Sequence, residues 1–333
     1  MKGVAILLMI FLHLFDDPFK VDLCKNFIFI GGIPFIHILS RASHPVAFFL
    51  IIGGYGLYRV YQKNDPNRFR RILKLYIHWI LILTVFVFIG WLFINSTKYP
   101  GGALKFIGNA SGFDWSYNHT SWFLFPYVIL SIFSKYIFKL YSKFRAIYII
   151  IFTIFLKLTT SYLISRHGQF FFVRHYIYDF MLPFHLLFDF SLGVLSARNN
   201  WFEKVKIFIK NYKYNQFYAW SALILLIFIN CIFKYNFFYA FLIITCISII
   251  NLPKLIKKCL IKLGNQSMNM WFIHGWFIYC FFSDFIYSFK YPIVIFVVLT
   301  VISYICSLIV NVIAAPIERL FMTKRQVEEK PIL

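Results

Sequence analysis

The chain has 333 residues, of which 61% are hydrophobic and only 14% charged, with a formal net charge of +22. Soluble domains carry about 25% charged residues, so a water-soluble globular protein is excluded. A basic excess of this size would also suit nucleic acid, but its placement along the chain assigns it to membrane topology and anionic lipid.

Apolar runs such as Leu75 to Ile94, Phe217 to Phe233 and Pro292 to Pro316 approach the ~20 residues that carry a helix across ~30 Å of hydrocarbon. Helices are expected because each satisfies its own backbone hydrogen bonds inside lipid. The alternating segments of about ten residues that build a membrane β-barrel are absent. In chain order the expected spans are 3–16, 44–61, 72–95, 121–138, 146–164, 179–197, 217–233, 236–252, 267–287 and 291–317. The first is short and is included because the alternation of charge requires it. Between the first two, Phe27 to Leu39 is apolar but broken by Gly31, Gly32 and Pro34, and is expected to lie in the outer interface or to dip partway in. The longest external loop, 96–120, is rich in turn formers (Gly101, Gly102, Asn109, Ser111, Gly112). Gly264 and Asn265 mark a turn before the ninth span. No internal repeat is visible. The expected architecture is one all-α domain over residues 1–333, polytopic, with about ten transmembrane helices.

Sorting the 34 Lys and Arg by these spans puts 24 on one side and 9 on the other, with Lys157 inside a span. The positive-inside rule then places both termini in the cytoplasm and makes the chain a multi-pass protein of the cell membrane. The apolar start at Val4 runs into Asp16, Asp17 and Pro18 without a small-residue cleavage site, so it reads as a span. The six cysteines form no C-x-x-C pair, and no metal site is expected.

Polar residues inside the spans carry the chemical information, because lipid rejects them unless they are paired or functional. His13 follows Lys2 along one helix and lies roughly 16 Å deeper at 1.5 Å per residue. Asp16 and Asp17 follow His13 at three and four positions, on the same helical face. Two readings are open: a general base oriented by a carboxylate, or a histidine bonded inside the bundle with aspartates that merely end the helix. Arg68 and Arg71, at i and i+3 at the mouth of the third span, suit a phosphate-bearing cofactor by bidentate contacts; they suit an ordinary interfacial anchor as well. His185 and Asp189, at i and i+4, are candidates for a buried pair. Trp122 is either an interfacial anchor or a sugar-stacking surface.

The order of several segments resembles the acyltransferase 3 family of integral membrane acyltransferases. Lys2 to His13 is similar to that family's first span, where an Arg or Lys precedes a His by ten intervening residues. Ala47 to Tyr55 resembles its Phe-Phe followed by Ser-Gly-Tyr/Phe, and Arg68 to Tyr76 resembles its Arg-x-x-Arg segment. Trp122-Phe123-Leu124, Phe190 to Gly193 and Leu263 to His274 resemble later landmarks, so the likeness covers nearly the whole chain. This sequence has Lys2 where Arg is commonest, Lys74 for the usual Pro, and Gly53 for Ser. The resemblance implies an O-acyltransferase, most often an O-acetyltransferase, with acetyl-CoA as donor and a hydroxyl of a surface polysaccharide or lipid-linked glycan as acceptor. By that likeness His13 is the catalytic base with Asp17 or Asp16 beside it, Lys2, Arg68 and Arg71 serve the donor or the architecture around it, and His274 and Trp122 line the acceptor channel; His274 suits an interior hydrogen bond to a neighbouring helix as well. The rival class is a transporter or flippase for a lipid-linked sugar, which would also use buried His and Asp but would be expected to show internal symmetry.

Overall fold

The structure, a computed structural model, describes residues 1–63, 68–94, 98–233 and 237–323. The chain opens with α1 (Lys2–Phe15) and a single turn, α2 (Pro18–Val21), whose N-terminus is capped by Asp17. A two-stranded hairpin follows, β1 (Phe29–Ile30) against β2 (Ile33–Pro34), with Ile30 paired to Ile33. Its two-residue loop is Gly31-Gly32, both at positive φ (58° and 78°), as a tight hairpin turn of this hand demands. Then come α3 (Phe35–Ser40), α4 (Pro45–Gln62), α5 (Arg68–Ile94) and α6 (Ala103–Ser111). A 3₁₀ turn (His119–Phe123) leads into α7 (Leu124–Tyr141), followed by α8 (Ala146–Arg166), α9 (Gly168–Val173) and α10 (His175–Asn199). The last part holds α11 (Trp201–Lys210), α12 (Asn215–Ile232), α13 (Tyr239–Ile249) and α14 (Lys254–Gly275). A π-helical turn (Trp276–Cys280), α15 (Ser283–Ser288) and α16 (Pro292–Thr323) complete it.

The described residues are thus mostly helical, and among them seven helical segments have the length and hydropathy to cross a membrane. Two further apolar helices, α1 and α13, are shorter. Nine of the ten expected spans overlap one of these; the ninth, 267–287, is divided among the end of α14, the π-helical turn and α15. The clearest difference is at α14, which begins at Lys254 and runs through Gly264 and Asn265, where a turn was expected. The glycine serves helix packing instead: a Cβ at Gly264 would stand 3.0 Å from the Gly3 nitrogen. The stretch 96–120 also departs from a simple external loop. Among its described residues it forms α6 and the start of the 3₁₀ turn, and it buries Tyr117 and Asn118 completely.

Two close helix pairs organise the bundle. Within its most apolar window α10 is 72% buried, against 11% for α12, so α10 is central and α12 peripheral. α10 lies on α4 with reciprocal glycines: a Cβ at Gly193 would meet the Ile51 carbonyl oxygen at 2.0 Å, and one at Gly54 would meet that of Phe190 at 2.3 Å. α1 lies on α14 in the same way, with a Gly3 Cβ only 2.1 Å from the Leu260 oxygen. Lipid supplies no hydrophobic drive between helices, so association rests on this backbone-to-backbone contact. Large apolar side chains on the outer helices (Ile151, Phe155, Phe228, Val312) are left exposed, as a lipid-facing surface requires.

Gly193→Ala should therefore cost about 1–3 kcal/mol or more by overpacking. Gly56→Ala, where an added Cβ meets nothing within 4 Å, should be neutral or stabilising by up to about 1 kcal/mol from helix propensity. Thermal unfolding of both variants in detergent checks the contrast.

Candidate active site

α1 and α14 run parallel, and a constant register relates them. The offset of 261 residues between the bonded pair His13 and His274 also relates Gly3 to Gly264, which touch near the opposite end of the helices. The glycine contact draws the two backbones together, and about three turns later the two imidazoles meet. His13 Nδ1 and His274 Nε2 are 2.6 Å apart, and the rings are parallel within 4°.

The protonation pattern follows from the far end of the pair. His274 Nδ1 lies 3.0 Å from the Met270 carbonyl oxygen, which can only accept, so Nδ1 carries the hydrogen. In a neutral ring Nε2 is then the acceptor. His13 must donate to it from Nδ1, which leaves His13 Nε2 with its lone pair. His274 itself is fully buried, whereas His13 is partly exposed and lines a cavity of about 740 Å³. The pair is a base with a second imidazole behind it.

The aspartates do not fill the orienting role. Their alignment with His13 needs the helix to continue to residue 17, and α1 ends at Phe15. At Asp17 the backbone turns extended (φ −87°, ψ 115°), and its carboxylate accepts from the Phe19 N–H at 3.1 Å. Asp16 is exposed at the end of α1. Among the described residues, the partner of His13 Nδ1 is His274. The backbone of His13 is held by Tyr279, whose hydroxyl donates to its carbonyl at 3.0 Å. Lys20 sits 3.5 Å above the Tyr279 ring and donates to the Ile278 carbonyl; burial pulls this ammonium down to about 8, although Asp17 opposes the shift.

The cavity at His13 is walled by the stretch after α6 and by the start of α10. Asp114, Trp115, Ser116, Trp122, Tyr178 and Tyr279 all face it. Asn118 fixes the 3₁₀ turn by accepting from the Thr120 N–H and hydroxyl, and its amide donates to the Phe272 carbonyl of α14. Gly275 makes this docking possible, since a Cβ there would lie 2.4 Å from both Asn118 Oδ1 and Thr120 Oγ1. Trp122 thereby reaches the same cavity as His13. His274 stands behind His13 rather than on the cavity wall.

A second cavity, of about 490 Å³, opens at the basic end of the bundle. Lys2, Arg71 and Lys74 line its mouth, and Tyr127, Ser131 and Trp271 lie among its walls. Arg68 opens α5, but its side chain lies outside the described residues. Phe123 and Trp271 line this space and not the cavity at His13, so they belong to the wall between the two; their ring centroids are 5.3 Å apart, and the Trp271 indole donates to the carbonyl of Thr120, which lines the other cavity, at 3.0 Å. Gly53 faces the basic cavity, and a Cβ there would rest 3.5 Å from the Tyr127 ring.

Two further buried polar clusters stand apart from this site. Lys157 pairs with Asp189 at 2.8 Å, so the carboxylate that the spacing offered to His185 belongs to the lysine, and His185 Nδ1 instead meets Thr160 Oγ1 at 3.2 Å. His78 on α5 lies 2.5 Å from Glu318 of α16 and 2.8 Å from the Asn269 side-chain oxygen of α14. Lys74 also pairs with Glu318, at 2.9 Å, so the residue that stands in place of a proline ties α5 to α16. Spacing along the chain gave no sign of either link, because both join helices distant in sequence.

No curated protein and no solved structure matches the chain at a significant level. The family comparison does find a match: the profile of the acyltransferase 3 family, described as an acyltransferase domain, aligns with residues 1–312. That alignment runs from α1 into α16 and takes in both cavities and the histidine pair, and the chain accordingly belongs to the acyltransferase 3 family of membrane acyltransferases.

Proposed function

We propose that this acyltransferase moves an acetyl group from acetyl-CoA to a hydroxyl of a surface polysaccharide or lipid-linked glycan at the cell membrane. Its basic end faces the cytoplasm in this reading. The observation that carries it is the His13–His274 pair beside a cavity walled by Trp115, Trp122, Tyr178 and Tyr279. Aromatic faces suit the apolar faces of a sugar ring, and a histidine base suits its hydroxyl. The transporter reading has no observation in its favour, since the family match is to acyltransferases.

In the proposed reaction the acceptor hydroxyl lies against His13 Nε2, which takes its proton as the oxygen attacks the thioester carbonyl. A C–O bond forms, the C–S bond breaks, and the coenzyme thiolate leaves with the proton that His13 then returns. While His13 carries that extra proton, its Nδ1–H bond to His274 strengthens, because the donor has become cationic. His274 thus holds the ring in the useful tautomer and steadies the imidazolium, the role that a carboxylate plays in the Ser-His-Asp arrangement.

The donor enters from the basic end. Lys2 and Arg71 supply charge-assisted hydrogen bonds to its phosphates, and Arg68, at the start of the same helix as Arg71, adds another. The acyl-pantetheine arm then follows the second cavity toward His13, roughly 16 Å along α1 from Lys2. It meets the wall of Phe123 and Trp271, whose side chains must turn aside for the thioester to reach the imidazole.

His13→Ala should lower the turnover number by about 10²–10⁴-fold, and His274→Ala by roughly 10²-fold or more, with both proteins still monodisperse on size exclusion. His274→Gln, which can still accept from His13 Nδ1, should recover part of the loss, while Asp17→Asn should retain most of the activity. Transfer assays with purified protein, together with mass spectrometry of cell-surface glycan, check these outcomes. Undiminished transfer by His274→Ala would remove the pair from the mechanism. Arg71→Ala should raise the KM for acetyl-CoA about tenfold through loss of a charge-assisted contact, with the turnover number nearly unchanged; steady-state kinetics over a donor series measures this.

A further inference from the structure

A third cavity, of about 810 Å³, lies beside the second and shares Lys2 with it. Three helices distant in sequence each present a lysine to it: Lys2 from α1, Lys206 from α11 and Lys257 from α14. Among the described residues that line it there is no carboxylate. Lys206 is not on a loose arm. α11 is amphipathic, and its Val205 and Ile209 pack on the small cluster of Ala219, Ile249 and Ile250, while the Phe202 ring packs at a tilt against Phe241 of α13, with centroids 5.6 Å apart. The rest of the lining mixes apolar faces such as Ile250 and Ile261 with amide side chains, Asn251 and Asn265.

A cavity of this size is in the range of small-molecule sites, and the excess of ammonium groups selects for phosphate. A lipid headgroup needs only the charge. A nucleotide also needs flat apolar contact for the base and amide partners for its edge, and this lining offers both. Lys2 lies on the border of the two cavities, where an extended ligand passing from one to the other would place its central phosphates.

We propose that this third cavity binds the 3′-phosphorylated adenosine end of the acyl-CoA donor, with Lys206 and Lys257 as partners of the 3′-phosphate and Lys2 as a partner of the diphosphate. The proposal rests on the acyl-CoA reading above and extends it. The nucleotide lies between α11, α13 and α14, and the pantetheine arm leaves it past Lys2 and Arg71 into the second cavity. Residues outside the arginine cluster therefore add to the affinity for the donor.

The test is calorimetric binding of coenzyme A and of 3′-dephospho-coenzyme A to the full chain in phosphatidylcholine nanodiscs. The wild type should bind coenzyme A more tightly. The double variant Lys206→Ala/Lys257→Ala should bind it about tenfold more weakly while binding the dephospho form as the wild type does, and Lys206→Arg/Lys257→Arg should restore the difference. Equal weakening of both ligands, or no weakening of either, would overturn the assignment and leave the donor reading intact. A wild type that binds no coenzyme A at all would overturn both. Loss of co-purified phosphatidylglycerol from the alanine variant, with coenzyme A binding unchanged, would make this a lipid site and contradict the proposal.

Discussion

The contact between α1 and α14 sets the geometry of the histidine pair on which the proposed chemistry depends. Gly3 and Gly264 let the two backbones approach so closely that a single added carbon at residue 3 would strike the Leu260 carbonyl. Because the helices stay parallel and in register, that approach is carried along to His13 and His274, which then lie at hydrogen-bonding distance. Remove the glycine contact and the imidazoles separate. His13 would keep its place on α1, but nothing would select which of its nitrogens holds the hydrogen. The Met270 carbonyl is the last member of the chain: it fixes His274, which fixes His13. A main-chain oxygen inside a helix thus decides where the basic lone pair stands.

Around this pair the bundle separates two spaces of different character. The space at His13 is aromatic, and the one at Lys2 and Arg71 is cationic at its mouth. The partition is built from polar contacts as well as rings, since the Trp271 indole is tied to the Thr120 carbonyl. Hydrogen bonding of this sort carries weight in a membrane domain, where an unsatisfied polar group costs several kcal/mol. The Lys157–Asp189 pair and the cluster of Lys74, His78, Asn269 and Glu318 satisfy one another in the same way. They join α8 to α10 and α5 to α14 and α16, and so brace the helices that border both cavities.

Much of this was legible in the chain itself. Long apolar runs and alternating charge disclose a helical membrane protein, and the spacing from Lys2 to His13 discloses a helix with a cation at its mouth and an imidazole inside. What sequence spacing could not disclose is contact between distant helices. Local periodicity left Asp16 and Asp17 open as partners of His13 or as residues that end the helix, and the end of α1 at Phe15 favours the second. Gly264 looked like a turn because glycine breaks isolated helices; in a packed bundle the same lack of a side chain admits a neighbour. The stretch with Asp114 and Trp115 looked like a solvent loop from its glycines and asparagines. Its aromatic residues were the available sign that it folds inward to wall the cavity.

The tautomer of His13 is the most direct test of this account. Solid-state NMR of the protein labelled with ¹⁵N-histidine in lipid, with His13→Asn for assignment, reports the protonation of each ring nitrogen. The account predicts a neutral His13 with hydrogen on Nδ1, a bare Nε2, and a through-space correlation from Nδ1 to His274. Hydrogen on Nε2 with no correlation to His274 would contradict it.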